Sequence, residues 1–166
     1  MNAPTMIERP SARLILLDPQ DRVFLFKVHQ PTVYDPADPF RDPFWILIGG
    51  MVDPGEPFAE TAKREAREET GIVVDDVRWV WSRDRIMQWR EKQVLHREQF
   101  FLGRARSTAV DTSGLDEKEK SWTLEHRWWS VDEIAASTER FEPAKLAGLL
   151  RGLLQDGPPV EPVKIG

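Results

Sequence analysis

The segment from Pro57 to Gly71 leaves its backbone little choice. Ala59, Ala62 and Ala66 recur at i, i+3 and i+7, a narrow stripe of small apolar side chains at helical spacing. Pro57 suits a first helical turn, and Gly71 suits a C-terminal cap. The spacing predicts a helix over 57–70, with side chains small enough to let it pack close to a sheet. That helix must carry Glu65, Glu68 and Glu69 at i, i+3 and i+4, on one side and within an arc of roughly 100°. Like charges so placed cost about a few tenths of a kcal/mol per pair in water. Either that side is simply wet, or a cation sits on it. Glu60, Lys63 and Arg67 point the other way and are the better candidates for a solvated face.

The rest of the chain reads as sheet and loop. With 166 residues, one domain spanning 1–166 is the natural expectation, with loose tails at 1–10 and 156–166. Ala12 to Leu17 and Val23 to Val28 are apolar runs either side of Asp18-Pro19-Gln20-Asp21, which predicts a hairpin. Residues 30–44 hold Pro31, Pro36, Pro39 and Pro43, which excludes a helix and predicts an extended surface loop. Trp45 to Ile48 reads as a short buried strand ended by Gly49-Gly50. Strands are predicted around 77–81, from Val94 to Ala105 and from Trp122 to Trp129, with a polar loop over 107–121. A short helix over 131–136, opened by Ser130, and a helix over 142–154 complete the pattern.

Composition excludes several functions. A formal net charge of -5 argues against a stable nucleic-acid complex, which needs a basic surface. The absence of cysteine removes disulfides and thiolate chemistry. No signal-like apolar run opens the chain, no stretch reaches membrane-spanning length, and a cytoplasmic location is the expectation. There is no Gly-x-Gly-x-x-Gly and no phosphate loop of the Gly-Lys-Ser/Thr kind.

The glutamate helix sits inside a longer pattern. Gly50 is followed by five residues and Glu56, then by seven residues and Arg64-Glu65. Ala66, Arg67, Glu68-Glu69, Thr70, Gly71 and Ile72 follow. This resembles the Nudix box in full. Seven positions demand a particular residue, so a chance match is on the order of one in 10⁸ per starting position. The resemblance implies an α/β (α+β) fold in which a mixed β-sheet is sandwiched between α-helices. It implies Mg²⁺, or Mn²⁺, held by Glu65, Glu68, Glu69 and the carbonyl of Gly50, hard oxygen donors for a hard cation. Glu56, Arg64 and Gly71 would support the box, with Arg64 pairing Glu68 and Glu56.

The activity implied is hydrolysis of a diphosphate linkage in a nucleoside diphosphate derivative: a nucleoside triphosphate, an ADP-ribose-like sugar nucleotide or a dinucleoside polyphosphate. Glu65 or Glu68 could act as general base. The family also draws that base from a later loop, where Glu117, Glu119 and Glu125 are available, with Glu125 ranked first. The alternative is a nucleotide-sensing module of the same fold without turnover. Family members often form homodimers. Ile48, Met51 and Phe58 depart from common family residues, which bears on substrate preference.

Seven tryptophans beside one tyrosine are many for this length. Their rings can fill a core or stack a nucleobase. Arg83, Arg85 and Arg90 read equally as phosphate contacts or as a solvated surface. His29, His96 and His126 lack the spacing of a helical metal motif.

Overall fold

The computed structural model describes residues 6–30, 33–34, 36 and 42–166. Along the chain run β1 (Ile7–Leu17), β2 (Val23–Val28), β3 (Val33–Tyr34), β4 (Phe44–Met51), α1 (Phe58–Thr70), β5 (Arg78–Trp89) and β6 (Lys92–Arg104). Then come α2 (Glu117–Trp122), β7 (Thr123–Trp129), α3 (Val131–Ala136), β8 (Phe141–Glu142), α4 (Leu146–Asp156) and β9 (Val163–Lys164).

β1 is the spine. It runs parallel to β6 along its whole length, from Ile7 opposite Val94 to Leu17 opposite Arg104. β6 pairs antiparallel with β5 across a turn at Arg90, whose φ of 55° is left-handed. On its other side β1 meets β4, but only through residues 11–14 and 48–51. The first half of β4 pairs with β2 instead, Leu47 opposite Leu25 and Phe44 opposite Val28. β2 continues outward to β7, and β4 to β8. β4 is thus shared between two neighbours, β1 and β2.

The predicted β1–β2 hairpin is therefore a divergence. The two strands share one register pair, Leu17 with Val23. The turn is held by the buried Asp18, which accepts N–H bonds from Gln20 and Arg22, both at 2.9 Å. Beyond it β4 reaches both strands. Gly49 and Gly50 do not end β4 but lie inside it, because Gly49 pairs Arg13 and Gly50 pairs Ala12.

Alternation along β1 separates two cores. Ala12, Leu14 and Leu16 face one way, packed with Phe24, Phe101, Ala62 and Ala66 under α1. Ile15 and Leu17 face the other way, with Trp45, Trp81, Phe100 and Trp129 beneath Leu146, Leu150 and Leu153 of α4. Helices thus cover both faces of the sheet, as the resemblance implies. Burying each large apolar side chain contributes about 1.5–3 kcal/mol, so these two layers dominate the stability.

Other boundaries also differ from the sequence reading. Residues 7–10 are strand and not tail, because β6 supplies a parallel partner. The C-terminal tail is tied as well: β9 pairs β5, the Ile165 N–H donates to the Ser82 carbonyl at 2.8 Å, and Ile165 is buried. α4 begins at Leu146, four residues later than predicted, and β8 takes up Glu142. The polar stretch 107–121 contains α2, and Trp122 closes that helix instead of opening β7. Of the proline-rich 30–44, Val33 and Tyr34 pair with β5, and most of the remainder lies outside the described residues. Among the described residues no helix is long and apolar enough to cross a membrane.

Candidate metal centre

α1 forms as its sequence dictates. Pro57 precedes it with extended backbone, and Gly71 closes it at φ 72°, donating its N–H to the Arg67 carbonyl at 2.9 Å. Ala62 and Ala66 are fully buried against the sheet, which draws the flanking Glu65 and Glu69 inward with them. Their exposures are 9% and 6%, whereas the side chain of Glu68 remains 48% exposed. The three glutamates share a side, but at different depths.

The Gly49-Gly50 pair makes room for this. A Cβ on Gly49 would lie 2.3 Å from the Ala12 carbonyl of β1, and one on Gly50 would lie 2.3 Å from Oε1 of Glu65. Neither glycine has a left-handed φ, so space and not backbone freedom requires them. The Gly49 N–H points at Oε2 of Glu69 across 3.4 Å.

Arg64 ties the loop before α1 to the helix. Its Nε and Nη2 donate to the two oxygens of Glu56, both at 2.9 Å, a forked charge-assisted pair. Its Nη1 reaches Oε1 of Glu65 at 3.1 Å and Oε2 of Glu68 at 3.2 Å. Glu56 also accepts from the Thr61 hydroxyl at 2.5 Å. The Arg64 and Thr61 hydrogen bonds hold the Glu56 pKa down at about 2, and Glu56 in turn raises that of Arg64. Arg64 thus pairs with both Glu56 and Glu68, the two contacts expected of it from the sequence.

α2 brings in a fourth glutamate. Asp116 caps it by accepting from the Glu119 N–H at 2.7 Å, while Oε1 of Glu119 accepts from the Asp116 N–H at 3.1 Å. The preceding loop is pinned to the end of α1. The Asp111 N–H donates to the Thr70 carbonyl at 2.8 Å, and Gly114 lies so close that a Cβ would sit 2.2 Å from the Glu68 carbonyl. Leu115 and Trp122 pack on the α1 core. The result is a group of three: carboxylate oxygens of Glu65, Glu69 and Glu119 lie within 4.8 Å of one another.

Such a group is unstable as three bare anions. Burial first, then the neighbouring carboxylates, pushes the Glu69 pKa well above the ordinary range. Burial likewise raises Glu65, against the pull of Arg64, and raises Glu119. A divalent cation is the charge that would reverse this. An all-oxygen donor set of carboxylates fits a hard ion such as Mg²⁺ or Mn²⁺.

The group lies in a cleft of about 490 Å³, a size suited to small molecules. Gly50, Arg64, Glu65, Glu68 and Glu69 line it together with Glu119. Arg9, Arg13 and His96 form part of its wall, and Phe26, Val28, Ile46 and Trp122 supply apolar surface.

Glu125 lies elsewhere. It is an exposed β7 residue paired in register with Lys27, and it does not line the cleft. Glu117 is almost fully exposed. Glu119, weighed beside them, is the later acid that reaches the helix glutamates. Its signal was present in the sequence: Asp116 followed three residues on by Glu119 is a capping-box pattern. Gly71 ends α1. Trp45, Trp81 and Trp129 are core residues, and Trp122 borders the cleft. Arg83 is buried against Glu98 and Arg85 pairs with Glu142, whereas Arg90 is exposed and stacks on Trp89.

Comparison with known proteins agrees with this architecture. The model of the NUDIX domain matches residues 7–149. The MutT protein from Methanosarcina mazei Go1 is similar in structure, with a TM-score of 0.61 at 20% identity, covering 93% of this chain and 98% of that one. A MutT NUDIX hydrolase from Burkholderia pseudomallei has a TM-score of 0.61 at 20% identity, covering 87% and 96%. The NUDIX domain of Shewanella oneidensis NrtR, solved as a complex with ADP ribose, has a TM-score of 0.63 at 15% identity, covering 91% of each chain. These likenesses show the fold. No curated protein matches the chain.

Proposed function

The chain belongs to the Nudix family, and from that membership we propose that it is a divalent-metal-dependent pyrophosphohydrolase acting on a nucleoside diphosphate derivative. The observation that carries this is the meeting of Glu65 and Glu69 with Glu119 in one cleft. When bound, Mg²⁺ or Mn²⁺ neutralises charge developing on phosphate oxygens and acidifies water.

The chain's own groups divide the remaining work. Glu65, Glu68, Glu69 and the Gly50 carbonyl would hold the cation. Arg64 orients Glu65 and Glu68 while Glu56 fixes Arg64. We assign the general base to Glu119 in place of Glu125. Its Oε1 is engaged by the capping box, so Oε2 is the atom left to take the proton from the attacking water. The apolar side of the cleft, with Trp122, suits a nucleobase.

The deciding experiment is phosphate release from a nucleotide panel with and without Mg²⁺, on the wild type and on Glu69→Gln. Turnover that requires Mg²⁺ and falls at least about 100-fold in the variant is expected. A nucleotide retained intact, with no turnover under any metal, would instead favour a sensing module. Glu119→Gln is expected to lower kcat by about 10²–10⁴ with the Mg²⁺ requirement unchanged. A variant whose activity returns at high Mg²⁺ would make Glu119 a metal ligand.

A further inference from the structure

Opposite the glutamates the cleft wall is built from arginine. Three adjacent strands contribute to one face: Arg9 of β1, His96 of β6 and Arg85 of β5 stand in register. One step along, Ser11, Glu98 and Arg83 do the same. Arg13 follows on β1, its chain so close to Gly49 that a Cβ there would lie 2.6 Å from Cδ of Arg13.

The positive charge on this face exceeds the negative. Glu98, 2% exposed, takes Arg83 at 2.7 Å and Arg13 at 3.5 Å. Glu142 takes Arg83 at 3.4 Å and Arg85 at 3.2 Å, and also meets Arg140 at 3.7 Å. Glu98 and Glu142 therefore serve Arg13, Arg83 and Arg85, with Glu142 shared further, and Arg13 is also attracted by Glu69. The Nε of Arg85 is buried with no acceptor among the described residues. Arg9 has no carboxylate within ion-pair distance among those residues; its guanidinium lies 5.6 Å from the Trp89 ring centroid.

Burial, reinforced by Arg13, Arg85 and Arg9 and opposed by Glu98, lowers the pKa of His96 to about 4. It is a neutral hydrogen-bonding group at pH 7. Of the four arginines only Arg83 is buried; Arg13 and Arg85 are half-buried, and Arg9, which has no carboxylate partner among the described residues, is exposed at the cleft and open to an incoming anion. The residues of this face that line the cleft are Arg9, Ser11, Arg13 and His96.

We propose that Arg9, Arg13 and His96 form a subsite for a phosphoryl group beyond the cleaved linkage. The substrate is then a nucleoside polyphosphate and not a nucleotide joined to an uncharged sugar. Guanidinium groups match phosphate oxygens in charge and in forked geometry. The substrate class rests on the hydrolase reading above; the anion subsite does not.

The test separates the two. Binding of inorganic tripolyphosphate is measured by calorimetry in excess EDTA, where no turnover occurs and the bare glutamates repel anions. The wild type is expected to bind, and Arg9→Gln and His96→Asn each to weaken binding by about 10-fold. Arg13→Gln also removes a partner of Glu98, so its result counts only with an unchanged circular dichroism spectrum. With Mg²⁺ present, kcat/KM is then compared for a nucleoside triphosphate and a nucleoside diphosphate sugar. Arg9→Gln should lower the triphosphate-to-sugar ratio by about 10-fold, through KM. No binding by the wild type in EDTA, binding indifferent to both variants, or equal losses on both substrates would overturn the subsite. Absence of any hydrolysis, with the EDTA result intact, would overturn only the activity.

Discussion

At the scale of single residues, Glu69 is the most exposed to test because it is buried beside two other carboxylates. Its pKa in the folded protein lies above the usual 4.5. A group raised in this way adds stability below about pH 4.5 and loses that contribution as the pH climbs through its folded value. Glu65 and Glu119 shift in the same direction. Metal-free protein should therefore melt at progressively lower temperature as the pH is raised from about 4.5 through neutrality. Saturating Mg²⁺ should remove most of that decline, since the ion stabilises the charged form and binds only the folded chain. Glu69→Gln should flatten the profile without metal. Thermal scans across that interval check all three statements, and a flat metal-free profile for the wild type contradicts the electrostatic account of the centre.

At the scale of elements, the adjacent glycines of β4 separate stability from activity. A methyl at Gly49 meets backbone of β1, which cannot move without breaking the ladder. Gly49→Ala should cost about 1–3 kcal/mol, read as a lowered denaturation midpoint. A methyl at Gly50 meets only the carboxylate end of Glu65, a side chain that can swing aside. Gly50→Ala should therefore keep the midpoint and lose roughly 100-fold in turnover through a displaced Glu65. The reverse pattern would mean that Glu65 is not part of the reacting machinery. α1 and its ends were legible because their determinants are local: an alanine stripe, Pro57 and Gly71. That β4 runs on through its glycines was not legible, since it depends on how closely β1 approaches. The choice of Glu119 over Glu125 is not legible in the sequence for a related reason. Which later acid reaches α1 depends on where the 107–116 loop docks, and that contact is made at Thr70 and Glu68 by residues distant in sequence. The match to the box placed Glu65, Glu68 and Glu69 on one side of α1, but not their depths, nor that Glu119 and not Glu68 completes the group of three.

At the scale of the whole molecule, Glu98 joins parts that the cores alone would not lock together. Its carboxylate on β6 meets Arg83 of β5 and Arg13 of β1, and Arg83 extends the chain of charge to Glu142 on β8. Burial opposes its ionisation, yet Arg83, Arg13 and Arg85 hold its pKa at about 2. Stability from this group is present above about pH 4.5 and is lost as the pH falls through about 2, on the opposite side of 4.5 from the decline expected for Glu69. Replacing it by glutamine leaves Arg83, itself buried, without its nearest counter-charge. Removing one partner of a buried pair costs about 3–5 kcal/mol. For a chain of this size each kcal/mol lowers the melting temperature by about 2–4 °C, so Glu98→Gln should melt roughly 6–20 °C below the wild type at pH 7. The contrasting surface pair is Glu8 with Arg97, 3.4 Å apart and more than half exposed on both sides. Glu8→Gln should move stability by no more than about 0.5 kcal/mol. Equal effects of the two substitutions would show that the hub adds nothing beyond solvated charge. The arginine wall of the cleft would then lose the anchor that fixes Arg13 beside the glutamates.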